Sequence, residues 1–217
     1  MYCNKIWAGY NNQTMLIILS IVILIMSVVV HELAHGYMAD WLGDSTARRQ
    51  GRLTLNPVRH LDPVGSVIVP LVTSLLGFTF GWARPVEYNP HNLKNRRSGE
   101  LLIALAGPAS NLLIAFVFSM VIRFAVSMHS VASIAFIELS AYIVTINIIL
   151  AIFNLIPLPP LDGSKILFAI LPRRYAHVRA MLEMYAPIFV LLVVFFLWQV
   201  VSPLVPFVFR LFTGLGM

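Results

Sequence analysis

The chain has 217 residues, of which 59% are hydrophobic and 11% are charged, with a formal net charge of +6. Soluble domains carry about 25% charged residues, so this composition excludes an ordinary soluble protein. It predicts a polytopic membrane protein that forms a single domain over residues 1–217. The single cysteine, Cys3, excludes an intramolecular disulfide and a zinc site built from thiolates.

Five apolar segments follow one another along the chain. They lie at about 14–42, 63–82, 99–126, 133–157 and 182–213. A helix needs about 20 residues to cross a bilayer, so the predicted fold class is all-α, a bundle of transmembrane helices. The last segment is long enough for one tilted helix or for two joined ones. Pro203 and Pro206 are able to break it, and both arrangements stay open.

Basic residues are concentrated in the segments that connect the apolar ones. They fall in residues 43–62, 81–98 and 165–179. The connection 127–132 has no lysine or arginine. Positively charged loops stay on the cytoplasmic side, so the charge indicates membrane orientation and argues against nucleic-acid binding. The N-terminus then faces outward, and the first span runs toward the cytoplasm.

Segment 63–82 has basic residues on both flanks, and therefore both flanks are expected on one side of the membrane. We predict a re-entrant hairpin there, broken near Pro70 or Gly77, with a simple crossing as the alternative. Two neighbouring stretches, Gly51–Leu55 and Phe78–Tyr88, have the alternating or β-branched pattern of strands. We predict short membrane-associated β-strands at both, able to pair with an unwound peptide; ordinary loops are the alternative.

The first apolar segment contains His31-Glu32-Leu33-Ala34-His35. Histidines four residues apart lie on the same face of a helix, so both imidazoles can bind one metal ion, and the pattern is typical of zinc sites. Glu32 is placed to act as a general base on water. Polar side chains inside an apolar span cost free energy and therefore indicate function. The alternative is a helix end that emerges into water with incidental polar residues.

The fourth apolar segment ends in a proline-rich sequence from Phe153 to Gly163. Prolines have no N–H and cannot continue a helix, and such broken backbone is tolerated at membrane depth where it lines a cavity or is buried in protein. Asp162 follows this break. Because a catalytic zinc commonly takes three protein ligands, we predict that His31, His35 and Asp162 hold one Zn²⁺ per chain.

Three further polar residues have two interpretations each. His60 and Asp62 compete with Asp162 for the place of the third ligand, but they are expected to be a solvated loop histidine and a helix N-cap. His60 is kept as a candidate for contact with a metal ligand or with substrate. Asn154 is a candidate donor to an oxyanion or to substrate backbone. It is equally suited to bond a carbonyl group that the proline break sets free.

The two motifs together resemble those of the site-2 proteases, which pair H-E-x-x-H with N-x-x-P-x-P-x-L-D-G, here Asn154–Gly163. Three other stretches resemble bacterial members. They are Ala47–Pro57, Phe80–Val86 with the following Asn89-Pro90, and Gly107–Asn111. The resemblance covers about Leu16–Leu171 and depends mainly on the pair of zinc motifs.

This resemblance implies an intramembrane zinc metalloprotease that cleaves transmembrane segments of other proteins, in a compact bacterial-type form without PDZ or CBS domains. Glu32 would be the catalytic acid and base. The expected location is the bacterial cytoplasmic membrane, with the active site toward the cytoplasm. Expected partners are transmembrane substrate proteins and the lipid bilayer, with no nucleic acid. A membrane metal transporter and a catalytically silent relative that binds membrane proteins stay open as alternatives.

Overall fold

The computed structural model of the chain describes residues 3–62, 84–127, 134–172, 175–186 and 202–215, together with Gly65, Ile68 and Gln199. The α-helices of these ranges are α1 (Cys3–Trp41), α2 (Thr46–Arg49), α3 (Arg96–Ser127), α4 (Ile134–Leu155), α5 (Asp162–Ile170), α6 (Ala176–Met184) and α7 (Leu204–Thr213). Short 3₁₀ turns lie at Pro57–His60 and Pro90–Asn92.

Three of these helices are long and apolar enough to cross a membrane, over Ile18–Trp41, Arg96–Ser127 and Phe136–Leu155. They confirm the helical fold class and the first, third and fourth apolar segments. The predicted hairpin at 63–82 lies outside the described residues apart from Gly65 and Ile68. Most of the last segment also lies outside them, although Pro203 directly precedes α7.

Helices α1 and α4 run in the same direction, and α3 runs antiparallel to both. Along α1, Ser27 is hydrogen-bonded to Asn111 of α3, and about two turns later His35 is bonded to Ile103, which comes earlier in α3. Ser27 also accepts a hydrogen bond from Asn147 of α4. The end of α1, the start of α3 and the end of α4 therefore lie at one end of the bundle, with the loops that connect them. We call it the loop end.

The largest apolar core lies between α3, α4 and α7. Its buried members are Ala115, Ile122, Val144, Ile148, Val205 and Phe209. On the outer surface of α3, large apolar side chains such as Leu113 and Phe124 are more than 60% exposed. Such exposure is costly in water and is the expected arrangement for helices that contact lipid.

The predicted strands were wrong in the part of the chain that can be checked. Residues 51–55 form turns closed by local hydrogen bonds, among them Arg52 N–H to Ala47 O at 3.0 Å. The alternating pattern there does not mark one buried face, because Arg52 is buried while Leu55 is 59% exposed. Residues 84–88 are also not a strand; their backbone donors bind the His60 carbonyl and the Glu32 carboxylate. Residues 78–83 lie outside the described ranges.

A buried aspartate, Asp44, joins the loops at the loop end of the bundle. Its carboxylate accepts hydrogen bonds from the Thr46 hydroxyl at 2.6 Å, the Asn92 amide at 2.7 Å and the Asn89 backbone N–H at 2.7 Å. Burial favours the neutral acid, but these donors outweigh it and lower the pKa of Asp44 below its ordinary value. Asp44 therefore stays ionised and holds residues 44–46 against residues 89–92.

Candidate metal centre

Two helices bring three potential metal ligands to one point. His31 and His35 lie one turn apart on α1, and Asp162 is the first residue of α5. Asp162 Oδ2 is 3.0 Å from His31 Nε2 and 2.9 Å from His35 Nε2, and the two Nε2 atoms are 3.0 Å apart. All three side chains are buried, with 5–6% of each residue exposed. The structure thus brings together the three residues that the sequence predicts as ligands.

The two imidazoles are oriented by hydrogen bonds from their other ring nitrogens. His31 Nδ1–H donates to Asn111 Oδ1 at 2.6 Å, and His35 Nδ1–H donates to the Ile103 carbonyl at 2.6 Å. Since Nδ1 carries the proton in each ring, both Nε2 atoms have free lone pairs that face Asp162. This is the arrangement that metal-binding histidines commonly adopt.

The donor set fits a zinc ion. Tetrahedral zinc with bonds of about 2.0–2.1 Å places neighbouring ligand atoms about 3.3 Å apart. The observed separations of 2.9–3.0 Å are a few tenths of an ångström shorter, so a small outward movement would accommodate the ion. Two imidazoles, one carboxylate and a remaining position for water form the ligand set of a catalytic zinc.

Gly107 of α3 leaves the space beside these ligands open. A Cβ atom at this position would lie 2.6 Å from His31 Nε2 and closer still to His35 Nε2. Contacts this short do not occur for real side chains, so any larger residue would push both imidazoles away from Asp162. The absence of a side chain at Gly107 is therefore a requirement of the site.

Substitution of Gly107 by alanine is expected to weaken zinc binding by at least about tenfold, because overpacking of this kind costs about 1–3 kcal/mol. The measurement is competition between the purified protein and a fluorescent zinc chelator. Gly99→Ala in the same helix is the matched control, since its added Cβ meets the end of the flexible Leu93 side chain. Equal zinc affinity in the two variants would contradict this account of Gly107.

Asn111 belongs to a buried polar network that links the three spanning helices. Its amide donates to Asn147 Oδ1 at 2.8 Å, and the Asn147 amide donates to Ser27 Oγ at 3.0 Å. Both asparagines are fully buried. These bonds fix the Asn111 amide so that its oxygen faces His31. Asn111 therefore orients a candidate ligand as well as joining helices.

We expect Asn111→Ala to lower zinc affinity by about 10–100-fold, the usual effect of losing a group that orients a metal ligand. Ser119→Ala removes a fully buried polar group from the same helix, but its hydroxyl bonds only the Ala115 carbonyl in the described structure. Both variants are compared by zinc titration, with thermal unfolding to confirm that they fold. Unchanged zinc affinity in Asn111→Ala would show that the His31 bond has no orienting role.

Asp162 is held by two further features of α5. Lys165 Nζ donates to Asp162 Oδ1 at 3.0 Å, which leaves Oδ2 directed at the histidines. Gly163 allows α5 to begin against the Leu155 and Ile156 carbonyl groups, where a Cβ would collide with both.

Glu32 lies beside the three-residue cluster, and its carboxylate is bonded at one oxygen. Glu32 Oε2 accepts a hydrogen bond from the Val86 backbone N–H at 2.8 Å. Glu32 and Val86 line the same cavity of about 110 Å³ as the three candidate ligands. The loop after residue 83 therefore positions the predicted acid and base over the metal centre.

The remaining sequence candidates lie in different environments. Asn154 lines the same cavity, but its amide donates to the Leu150 carbonyl at 3.0 Å, so it bonds its own helix. His60 is 2% exposed and donates to the Thr54 carbonyl, so the expected solvated loop histidine was wrong. Neither His60 nor Asp62 is part of the ligand cluster found among the described residues.

A second cavity of about 230 Å³ adjoins the metal cavity. Tyr88, Pro160 and Lys165 line both. The second cavity continues outward between charged side chains of α3 and α6, namely Glu100, Arg179 and Glu183. A passage lined in part by charged side chains thus leads from the metal centre toward the loop end of the bundle.

Three residues of the site were missed or undervalued in the sequence. Lys165 stands three residues after Asp162, a spacing that brings side chains together on a helix and could have revealed the pair. Gly107 and Asn111 stand in a stretch that resembles bacterial members, but helical periodicity alone does not show which residues of α3 face His31. Their roles depend on how α3 crosses α1.

Comparison with known proteins gives the family. A model described as Peptidase family M50 matches residues 122–197. The chain is 43% identical over 156 residues to "Putative zinc metalloprotease YwhC" of Bacillus subtilis, which covers 70% of this chain and 68% of the relative. It is 31% identical over 145 residues to "Putative zinc metalloprotease Rip2" of Mycobacterium tuberculosis. That match covers 64% of this chain and 52% of the relative.

An archaeal relative, "Zinc metalloprotease MJ0392" of Methanocaldococcus jannaschii, is 29% identical over 160 residues, or 73% of this chain and 36% of the relative. No solved structure matches the chain. The resemblance to the site-2 proteases is confirmed. The family model and the relatives are zinc peptidases, and the chain has three helices long and apolar enough to cross a membrane. The chain belongs to peptidase family M50 and is a membrane zinc metalloprotease.

Proposed function

We propose that this metalloprotease is an intramembrane endopeptidase, which hydrolyses peptide bonds in or near the transmembrane segments of substrate proteins. The supporting observation is the depth of the ligand cluster. His31 and His35 lie within the apolar span Ile18–Trp41. About 9 Å of helical rise separates His35 from Trp41, the last residue of α1.

The chemistry follows from the groups in the cavity. His31, His35 and Asp162 would hold the zinc ion, which supplies a Lewis acid and makes water a nucleophile at neutral pH. Glu32 Oε1, for which no partner is found among the described residues, would accept a proton from the attacking water, and Glu32 would then deliver a proton to the amine that leaves. The Val86 N–H keeps this carboxylate in place through the other oxygen. Asn154 is retained as a candidate contact for substrate backbone, since it lines the cavity.

The substrate has to unwind before it is cleaved. The metal cavity of about 110 Å³ cannot contain a helix, whose diameter with side chains is about 10–12 Å. An extended peptide needs less width, and water can reach it through the passage beside Lys165, which charged side chains line in part. His60 does not line this cavity in the described structure, and it is not proposed as a substrate contact.

The proposed location is the bacterial cytoplasmic membrane, with the active site toward the cytoplasm. The first two relatives are bacterial proteins. The basic loops at 43–62 and 84–97 belong to the loop end of the bundle, where α1 ends and α3 begins. Positively charged loops stay in the cytoplasm, so His35 lies nearer the cytoplasmic surface. The proposed partners are transmembrane substrate proteins and the surrounding lipid.

The test is cleavage by the purified protein in liposomes that also contain a single-span test protein with labelled ends. We expect cuts within or beside its apolar segment, located by mass spectrometry, which stop when zinc is chelated and resume when zinc is restored. A water-soluble peptide copied from the polar flank is the control. Cleavage confined to that peptide, or zinc transport without proteolysis, would refute the proposal.

A further inference from the structure

A third cavity, at the loop end of the bundle, is separate from the metal centre. It has a volume of about 490 Å³, and it shares no described lining residue with the metal cavity. Its lining residues are Gln50, Arg52, Val58, Arg59, Leu61 and Arg84. Three of these are arginines and none is acidic. The cavity therefore concentrates positive charge in a concave surface.

These arginines differ from three other arginines at this end of the bundle. Arg48, Arg96 and Arg179 each pair with a carboxylate, as is common at protein surfaces. Among the described residues, Arg52, Arg59 and Arg84 form no such ion pair. Glu87, whose charge acts on Arg52, is bonded to the Gln50 amide at 3.2 Å.

The backbone that carries these arginines is fixed. Arg52 is 8% exposed and donates from Nη1 to the Arg59 carbonyl. The Arg84 N–H donates to the His60 carbonyl at 2.8 Å. Burial and the nearby charge of Arg84 lower the pKa of Arg52. A bound anion would offset both effects.

Phosphate is the anion that this cavity suits best. Planar guanidinium groups bind phosphate oxygens through two parallel hydrogen bonds, and arginine is preferred over lysine for this purpose. Apolar side chains surround the charge: Leu55 is 59% exposed, Val58 68% and Leu61 44%. Exposed apolar residues next to arginines at the end of a spanning bundle are typical of contact with lipid headgroups and the adjoining acyl chains.

We infer that Arg52, Arg59 and Arg84 form a binding site for a phosphate anion, which the headgroup of an anionic phospholipid supplies. The cytoplasmic leaflet of cell membranes is rich in such lipids. The site lies at the surface where α1 ends and α3 begins, so a lipid of that leaflet can reach it without leaving the bilayer. Leu55, Val58 and Leu61 would then rest against the acyl chains.

The experiment compares two double variants of the full chain. Arg59→Gln with Arg84→Gln removes two exposed charges from the cavity, and Arg48→Gln with Arg96→Gln removes two paired charges from the same end of the bundle. Each protein is placed in nanodiscs of mixed phosphatidylcholine and phosphatidylglycerol. The lipids that remain bound after mild extraction are counted by native mass spectrometry, and thermal unfolding confirms that each variant folds. The measurement does not depend on proteolytic activity.

We expect phosphatidylglycerol binding to fall about fivefold for each cavity arginine, or about 25-fold for the pair, and to remain within about twofold in the control. Equal losses in the two variants, or no loss in either, would overturn the inference. A second arm titrates inorganic phosphate in nanodiscs of phosphatidylcholine alone. If free phosphate binds as tightly as the lipid, and only when the cavity arginines are present, the phosphate site stands and the lipid source is refuted. A third arm titrates an acidic peptide: if the cavity variant loses peptide binding while its lipid and phosphate binding are unchanged, both are refuted.

Discussion

Replacement of Glu32 by glutamine is expected to slow cleavage of a transmembrane substrate by about 10²–10⁴-fold while zinc remains bound. Glutamine has nearly the same shape, and its side-chain oxygen can still accept the Val86 N–H bond. It cannot accept a proton from water, so the general base is lost. None of the three candidate ligands changes, and therefore the metal should stay.

The measurement combines single-turnover cleavage in liposomes with metal analysis of the same preparation. Glu87→Gln is the matched control, because it removes an exposed carboxylate from the same loop that contacts Glu32. That control should cleave at close to the rate of the unchanged protein. If Glu32→Gln retains full activity, another group must serve as the base. If zinc is lost along with activity, the role of Glu32 is to maintain the site.

The four-residue spacing in the sequence correctly predicted that His31 and His35 lie on one face of a helix. The spacing of His31 and His35 is a property of any α-helix, and α1 is a long, uninterrupted one. The structure places Asp162 beside them, although 127 residues separate it from His35 in the chain. That approach could be predicted because prolines end α4 just before Asp162, and because both spans were expected to end at the same side of the membrane.

The groups that orient these ligands could not be predicted in the same way. Asn111 contacts His31 only because α3 crosses α1 antiparallel, with Gly107 one turn away at the closest approach. No periodicity in α3 distinguishes that face from its lipid-facing side, since both are mostly apolar. The strand prediction at 51–55 failed for a related reason. Polar and apolar residues alternate there, but Arg52 is buried and Leu55 is exposed. A strand packed on an apolar core would bury the leucine and expose the arginine.

Substitution of Asp162 by alanine is expected to weaken zinc binding by more than about 100-fold, because groups that only orient a ligand already contribute about 10–100-fold. The two imidazoles would remain, held by Asn111 and by the Ile103 carbonyl, but two neutral ligands without a carboxylate bind zinc weakly. Zinc content after dialysis and competition with a chelator measure the loss. Asp62→Ala is the control, since Asp62 is outside the cluster found among the described residues.

Loss of zinc through misfolding must be separated from loss of a ligand. Removal of the Asp162 carboxylate leaves Lys165 without that partner, but 41% of the lysine side chain is exposed and water can solvate it. Thermal unfolding of Asp162→Ala should therefore change little in the absence of metal. Asp162→Asn keeps the shape and one oxygen, so its affinity should fall between those of alanine and aspartate. Zinc retained at full stoichiometry in both variants would show that a different residue completes the centre, and it would remove the geometric basis for the proposed protease site.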